Sequence, residues 1–187
     1  MFLAMETALK NGKSYEKAIE IANKTEKRER HKSKWIKKLK KIKVKEKLLK
    51  RIHKKLLFKK YTKKLKIWIV RGNLVRTLFD VDFNQGGHEK VYPFIPKNEI
   101  WIDDYLYKKE IPYVLIHELH ERKLMFKGWK YDPVGQSIFI RKSQAGKKSA
   151  HFSAEDLEFS VRNHPKSIKK VLLKELSENE KLTGNKA

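Results

Sequence analysis

The feature that most constrains the folding of this 187-residue chain is an apolar run that ends directly in a cluster of ionisable residues. Tyr113-Val114-Leu115-Ile116 is followed by His117-Glu118-Leu119-His120-Glu121. The apolar run predicts that this end of the element is buried. Buried ionisable groups need partners, because an unpaired charge is costly away from water. A fold for this chain must therefore bring further polar groups to residues 117–121.

We predict a helix over residues 112–127, because proline suits a first helical turn and Gly128 suits a C-terminal stop. Positions i and i+4 share a helix face. His117 and Glu121 should therefore point the same way, with His120 near that face. Both side chains are metal ligands in proteins, so this face is a candidate metal site.

The pattern is close to H-E-x-x-H, in which two helix-borne histidines hold zinc and the intervening glutamate activates water. Here the second histidine comes one residue early, and the i+4 position is Glu121. One interpretation is a metal site with His117 and Glu121 as ligands and Glu118 as general base. The other is a charged surface helix, in which Glu118 and Glu121 form ordinary ion pairs with Arg122.

The other ligands of a metal site must come from histidine, aspartate or glutamate, because the chain has no cysteine. His151 is the best third ligand, since it begins a helical region that can form a hairpin with residues 112–127. Glu158 follows on the same helix face. His88 comes directly after two glycines, and we expect it to ligate the metal or to hold a substrate group. Such donors suit Zn²⁺, with Mn²⁺ or Fe²⁺ as alternatives.

A strongly basic zone precedes these residues. The chain has a net charge of +24, and residues 24–66 hold 22 Lys or Arg against three Glu. A field of this sign attracts polyanions and does not specify a fold. Phosphate contacts would give salt-dependent, sequence-independent binding of nucleic acid. The candidate contact residues are Lys34, Lys37, Lys38, Lys41, Lys45, Arg51, Lys54 and Lys55. A solvated lysine-rich face and an anionic membrane surface are the alternatives.

The periodic patterns predict an α+β fold with basic N-terminal helices, a small antiparallel sheet, the metal-bearing helix and C-terminal helices. Residues 1–23 predict two short helices, with Gly12 ending the first and Ser14 capping the second. Apolar residues spaced by three and four predict a helix or helix pair within 24–66. We place a boundary between a basic helical arm, residues 1–65, and an α+β domain, residues 66–187.

Strands are predicted where β-branched and aromatic residues cluster, at residues 66–70, 75–83, 91–94, 99–102 and 137–141. The first two strands flank Arg71-Gly72-Asn73-Leu74, which predicts a hairpin turn. After the metal-bearing helix, a helical region is expected from Ala150. His164-Pro165 should interrupt it before an amphipathic helix over 167–182.

Two parts of the chain share the same spacings. Gly12 precedes Tyr15 by three residues, as Gly128 precedes Tyr131, and Ala18-x-x-x-Ala22-x-x-x-Glu26 matches Ala150-x-x-x-Ala154-x-x-x-Glu158. The second part has about 16 extra residues between Tyr131 and Ala150, and it has His151 where the first has Ile19. A duplication in which only the second part kept a metal site explains the match, and chance similarity of helix–glycine–helix segments is the alternative.

Residues 66–160 also resemble a known pattern. The matching motifs are Val70-x-Gly72-x-x-Val75-Arg76, Gly86-Gly87-His88, Ile95-Pro96-x-x-Glu99-Ile100-Trp101-Ile102-Asp103, His117-Glu118-Leu119-x-Glu121-Arg122 and Ala150-His151. They resemble small zincin-like metalloproteins of phage and archaeal genomes. The resemblance implies a metal-dependent hydrolase fold in which strands precede the metal-bearing helix.

Two function classes follow from these observations. The leading hypothesis is a metal-dependent hydrolase of the peptidase kind, with a basic arm that binds polyanions. The alternative is a nonenzymatic, sequence-nonspecific nucleic-acid-binding protein whose His/Glu helix is structural. No apolar run reaches the roughly 20 residues of a membrane span, and residues 1–22 contain acids and no signal-peptide core. We therefore expect a cytoplasmic protein.

Overall fold

The computed structural model describes residues 2–25 apart from 16, 19 and 23, and then residues 45–131 and 149–184. These parts of the chain form the predicted α+β fold, a four-stranded sheet with helices packed against it. Within the described ranges, no helix has the length and apolar character needed to cross a bilayer. The strand predicted at 137–141 and most of the basic zone before residue 45 lie outside the described residues.

The N-terminal segment contains the two predicted helical pieces. Helix α1 spans Phe2–Lys10, and Gly12 follows it with a φ of 70°, a conformation in which glycine carries no steric penalty. The amide of Lys17 donates to the Ser14 hydroxyl oxygen at 3.3 Å. Ser14 therefore caps the second helical piece, which runs through the described residues between 15 and 25.

The sheet is built from four short strands in the order β1-β2-β4-β3. They are β1 His53–Leu57, β2 Lys66–Val70, β3 Gly86–His88 and β4 Glu99–Asp103. Strands β2 and β4 are parallel, whereas the outer strands β1 and β3 are antiparallel to their neighbours. The sheet is therefore mixed, and not purely antiparallel as predicted.

The central strands are buried on both faces. Ile67 and Ile69 of β2 lie in one core cluster with Ile100 and Ile102 of β4, while Val70 and Trp101 lie in a second cluster. Successive side chains of a strand point to opposite faces of the sheet. The sheet therefore separates two apolar layers, which explains why β2 and β4 are almost continuously apolar in sequence.

The predicted hairpin is wrong. Residues Gly72–Leu78 form helix α3 instead of a turn and a strand. Val75 and Leu78 are buried in the second core cluster, and that packing outweighs the β propensity of the segment. Gly72 is needed here because a Cβ at this position would lie 2.2 Å from the Asp103 carboxylate. Strand β2 therefore pairs with the distant β4 and not with the segment that follows it.

Two further predictions need correction. The stretch 91–94 is a turn rather than a strand, and its amide hydrogen bonds from Val91 and Tyr92 go to the carbonyl of His88. In the basic zone, helix α2 ends at Ile52 and the chain continues as strand β1. The apolar stripe predicted for one continuous helical region is thus divided between a helix and the sheet.

Strand β1 also affects the predicted boundary between residues 65 and 66. It pairs with β2 on the other side of that boundary, and Ile52 at the end of α2 is fully buried in the second core cluster. A cut at residue 65 would remove an edge strand and expose part of this core. The described part of the arm from residue 45 onward is therefore continuous with the sheet.

The helical layer contains α4 Ile111–Phe126, α5 Ala150–Asn163 and α6 Ile168–Gly184. The predicted stop after α4 is confirmed by Gly128, which has a φ of 84°, and the predicted break at residues 164–165 by a single 3₁₀ turn over Pro165–Ser167. Helix α4 packs against both α5 and α6 and against strands β3 and β4. It is therefore the central element of this side of the fold.

The start of α5 carries a hydrogen-bond pattern that crosses an insertion. The amide of Ala150 donates to the carbonyl of Lys130 at 2.8 Å, and the amide of His151 donates to that of Tyr131 at 3.1 Å. Without residues 134–149, both would be ordinary i to i−4 helical bonds. The N-terminal segment has the counterpart of the first bond, because the amide of Ala18 donates to the carbonyl of Ser14 at 2.9 Å.

The burial of the small residues is also matched in the two segments. Ala18 and Ala22 have relative exposures of 0% and 1%, and Ala150 and Ala154 are both at 0%. Spacing, hydrogen bonding and burial thus agree, and together they favour the duplication over chance similarity. On this interpretation, residues 134–149 are an insertion into the first turn of a helix.

Excision of residues 134–149 should therefore leave the fold intact. The shortened chain Tyr131-Asp132-Pro133-Ala150 keeps the helical spacing, and aspartate followed by proline suits a helix start. We expect a change in the free energy of unfolding of less than about 1 kcal/mol, typical of changes outside a core. Urea unfolding measures it. Removal of residues 118–133 from α4, a deletion of equal length, should abolish folding. A shortened chain that is as unfolded as this control would contradict the insertion.

Candidate metal centre

Three donor atoms converge between α4 and α5. They are Nε2 of His117, Oε2 of Glu121 and Nδ1 of His151. Helix α4 supplies the first two at i and i+4, as predicted. Helix α5 supplies the third from its first turn, which is held in place by Ser149, whose hydroxyl accepts from the amide of Phe152 at 3.2 Å. The structure thus brings together the three residues predicted as metal ligands.

The spacing of these atoms suits a small divalent cation. The two histidine nitrogens are 3.3 Å apart, and the Glu121 oxygen lies 3.5 Å from His117 and 2.8 Å from His151. Zinc at about 2.0–2.1 Å from each ligand requires ligand atoms about 3.3 Å apart in a tetrahedron. Two His and one Glu, with a fourth position left open, form a donor set used by catalytic zinc sites.

The outer nitrogens of both histidines face carboxylates. His117 Nδ1 lies 3.1 Å from Oε2 of Glu158, and His151 Nε2 lies 3.4 Å from Oε1 of Glu155. A carboxylate that accepts the outer N–H leaves the inner nitrogen lone pair directed at the cation. Glu158 is itself fixed by Arg162, whose Nε and Nη2 donate to it at 2.9 and 2.7 Å. The predicted extra ligand Glu158 therefore lies behind His117.

His88 supports the remaining ligand. Its Nδ1 accepts from the amide of Lys90 at 3.2 Å, and its Nε2 lies 2.9 Å from Oε1 of Glu121. Because Nδ1 acts as an acceptor, the hydrogen-bond network places the ring proton on Nε2, which donates to Glu121. That bond fixes one oxygen of Glu121 and leaves the other for the cation. His88 is therefore a positioning residue and not a ligand.

A second group of donors overlaps the first. His88, Glu118 and Glu121 also bring ligand atoms within 4.8 Å of one another. We do not assign a cation to this group, because the Nε2 proton of His88 occupies the lone pair that would bind the ion. Only the group of His117, Glu121 and His151 has its inner atoms available.

Glu118 lies beside the proposed ligands with its carboxyl facing the cleft. It is 9% exposed. Among the residues that the structure describes, no side chain forms a hydrogen bond with its carboxyl, and the influences on its pKa are burial and nearby charges. Strand β3 passes close by, since a Cβ on Gly86 would lie 3.2 Å from Oε1 of Glu118. This glycine thus gives the carboxyl room to reach the cleft.

The cleft itself has a volume of about 420 Å³ and opens above the three ligand atoms. Its lining includes residues that our sequence analysis did not select, namely Asp82, Tyr92 and Glu155. Burial and the charge of Glu118 raise the pKa of Tyr92 to about 12, so its hydroxyl stays protonated and can donate. Gly87 makes room for this ring, because a Cβ there would lie 2.5 Å from it. The close pairing of two glycines with a tyrosine four to five residues later was the only sequence signal for Tyr92.

His120 is directed away from the cleft. Its Nδ1 lies 3.1 Å from Glu175 of α6, and its Nε2 lies 3.3 Å from the hydroxyl of Ser153. Lys123 donates to the same Glu175 carboxylate at 2.6 Å. The second histidine of the sequence cluster therefore joins α4 to its neighbouring helices, and it is not part of the ligand group.

The predicted nucleic-acid contacts are only partly described. Lys34, Lys37, Lys38 and Lys41 lie outside the described residues, and for Lys45 only the helical backbone is described. Arg51, Lys54 and Lys55 are exposed. Lys54 forms an ion pair with Asp104 at 3.1 Å. These three residues are accessible to a polyanion, and their exposure alone does not distinguish a binding surface from a solvated one.

The carboxylates and histidines of the centre are strongly coupled. Burial would lower the pKa of His117, but hydrogen bonds to Glu121 and Glu158 raise it to about 10. Burial would raise the pKa of Glu121, but hydrogen bonds from His117, His151 and His88 hold it well below its usual range. Burial and the charge of Glu121 raise the pKa of Glu118 to about 8. At neutral pH the cation-free centre therefore holds protons on His117 and Glu118.

Cation binding should release protons. Because the raised pKa of His117 lies near 10, a cation competes with a proton at every pH below that value, and affinity should rise with pH. One displaced proton gives about a tenfold gain in affinity per pH unit. Calorimetric titration with Zn²⁺ from pH 6 to 8, in buffers of different protonation enthalpy, measures both the slope and the protons released. An affinity independent of pH would contradict binding at His117.

Comparisons with protein-family models, with curated proteins and with solved structures found no match to this chain.

Proposed function

We propose that this protein is a zincin-like metal-dependent hydrolase that cleaves peptide bonds. The observation that carries the proposal is the convergence of Nε2 of His117, Nδ1 of His151 and Oε2 of Glu121 at 2.8–3.5 Å from one another. Each of these three ligands has an outer partner that holds it in place. Such a supported ligand set is what a resident divalent cation requires.

The residues of the cleft have distinct roles in this proposal. A cation held by the three ligands would polarise a carbonyl oxygen and lower the pKa of a bound water to about 7. Glu118 accepts a proton from the attacking water and later delivers it to the leaving amine, while the acyl carbon–nitrogen bond breaks. The Tyr92 hydroxyl is placed to donate a hydrogen bond to the oxygen on which negative charge develops.

Glu118 suits this role because its environment disfavours a fixed charge. Its raised pKa of about 8 arises from burial and from Glu121, and a nearby dication would lower it. The carboxyl would then titrate near neutral pH, where general acid–base catalysis is most efficient. A structural carboxylate would instead be expected to have a permanent cationic partner, as Glu158 has in Arg162.

The alternative is a nucleic-acid-binding protein without enzymatic activity, and the charge of the chain favours it. Residues 24–66 carry 19 more basic than acidic residues, and neutralising phosphates with lysine gives affinity without sequence preference. Polyanion binding by this zone is compatible with the proposed hydrolase. The two functions are separated by whether the protein needs a metal.

Metal content tests the proposal. We expect about one Zn²⁺ per chain by elemental analysis after reconstitution and gel filtration. His117→Asn should lose the metal, because it removes an inner donor. His120→Asn is the matched control, since it changes a histidine of the same helix that faces Ser153 and Glu175, and it should retain the metal. Absence of stoichiometric Zn²⁺, Mn²⁺ and Fe²⁺ from the reconstituted wild type would overturn the proposal.

A further inference from the structure

The cleft has a charge opposite to that of the whole protein. The chain contains 46 Lys and Arg against 22 Asp and Glu. Among the described residues that line the cleft, however, none is Lys or Arg, and five carry carboxylates: Asp82, Glu118, Glu121, Glu155 and Glu158. In a protein this basic, an acidic lining is a departure that requires a specific reason.

The excess of negative charge would persist with a cation in place. A dication balances the charges of Glu118 and Glu121. The charge of Glu158 is largely balanced by Arg162, which donates to it twice. Asp82 and Glu155 remain, one on the loop before β3 and one on α5, so they contribute negative charge from two walls of the cleft. A phosphodiester would be repelled, whereas a cationic group would be attracted.

Glu118 indicates that this lining surrounds a binding site and is not simply an acidic surface. It is 9% exposed and lines the cleft, and within the described part of the chain no side chain hydrogen-bonds to its carboxyl. A buried polar group without a partner is costly. An occupant of the cleft that donates hydrogen bonds or carries positive charge would remove that cost.

We propose that the cleft selects peptides with Lys or Arg next to the scissile bond, and that Asp82 and Glu155 determine this selectivity. The inference rests on the proposed hydrolase function and specifies its substrate class. It also separates the two charged regions of the molecule, because the basic zone attracts polyanions while the cleft excludes them.

The test compares fluorogenic peptides that differ at one position, where they carry Lys, Gln or Glu. With Zn²⁺-loaded full-length protein at low salt, we expect kcat/KM to fall in the order Lys, Gln, Glu. The ratio of Lys to Glu should be about 10–100-fold, since one charge pair at partly exposed positions contributes roughly tenfold or more. Higher salt should reduce this ratio by screening. Equal kcat/KM for the three peptides would overturn the inference.

Asp82→Lys should reverse the preference. We expect cleavage of the Lys peptide to fall by about tenfold, mainly through KM, and cleavage of the Glu peptide to rise. Glu155 is unsuitable for this test, because it also lies 3.4 Å from His151. Asp156→Lys is the matched control, since Asp156 is exposed on α5 and does not line the cleft. The same change in both variants would show that only the total charge matters.

A binding measurement keeps this inference separate from the hydrolase proposal. Fluorescence anisotropy gives the Kd of a labelled Lys peptide for wild type and Asp82→Lys, with and without Zn²⁺. A protein that binds no metal and cleaves nothing, but loses affinity for the Lys peptide by about tenfold in Asp82→Lys, would refute the hydrolase and support the acidic cleft. An unchanged Kd would refute the cleft's selectivity.

Discussion

Glu118→Gln should abolish peptide hydrolysis while leaving the metal bound. Glutamine has the shape of the protonated carboxyl but cannot accept a proton from water, and loss of a general base costs about 10²–10⁴-fold in kcat. The three inner donors remain, so Zn²⁺ content should stay at one per chain. Single-turnover cleavage of a peptide selected from a mixed library, together with elemental analysis, measures both quantities.

The control for this variant is Glu6→Gln, which makes the same chemical change at a side chain that is 59% exposed. It should match wild type in both activity and metal content. Loss of metal in Glu118→Gln would show that Glu118 is a ligand and that the roles are assigned wrongly. Full activity would remove Glu118 from the mechanism.

Arg122→Met should cause the largest loss of stability. The guanidinium is fully buried, with Nη2 donating to Glu89 at 2.8 Å and Nη1 donating to Asn179 of α6 at 3.0 Å. Removing one partner of a buried ion pair leaves an uncompensated charge, which costs about 3–5 kcal/mol. Urea unfolding of the cation-free protein, with a chelator present, gives the change in the free energy of unfolding.

Lys10→Met is the comparison for this prediction. It breaks the Lys10–Glu6 pair, whose side chains are 74% and 59% exposed, and exposed pairs contribute less than about 1 kcal/mol. A similar loss of stability in both variants would contradict our account of Arg122. A loss confined to Arg122→Met would identify the Glu89–Arg122–Asn179 contacts as a principal link between α4, the loop after β3 and α6.

The elements with strong local signals were predictable from the sequence. Helix α4 has a proline at its start, a glycine after its end and an apolar body, and all three signals agree. Strands β2 and β4 are short apolar runs bounded by polar residues. Helix α3 was mistaken for a strand because Val75 and Thr77 favour β structure. Its helical state depends on packing against β2 and β4, which only the fold brings near.

The candidate site was predictable to the same extent. His117 and Glu121 share a helix face by spacing alone, and His151 followed from the expected helix hairpin. The role of His88 could not be deduced, because the amide of Lys90 determines its tautomer. The contribution of Asp82 likewise depends on a loop that reaches the cleft through tertiary structure. Long-range contacts of this kind leave no period in a sequence.

The hydrogen bonds that join Lys130 and Tyr131 to Ala150 and His151 have an evolutionary consequence. They hold the two ends of the insertion together, so the chain between them can change in length or composition without moving the ligand His151. The entropic cost of a longer loop grows only slowly with its length. Tyr131 and His151, which line the cleft, flank this point. New sequence can therefore be sampled beside a substrate site while the ligand geometry is inherited unchanged.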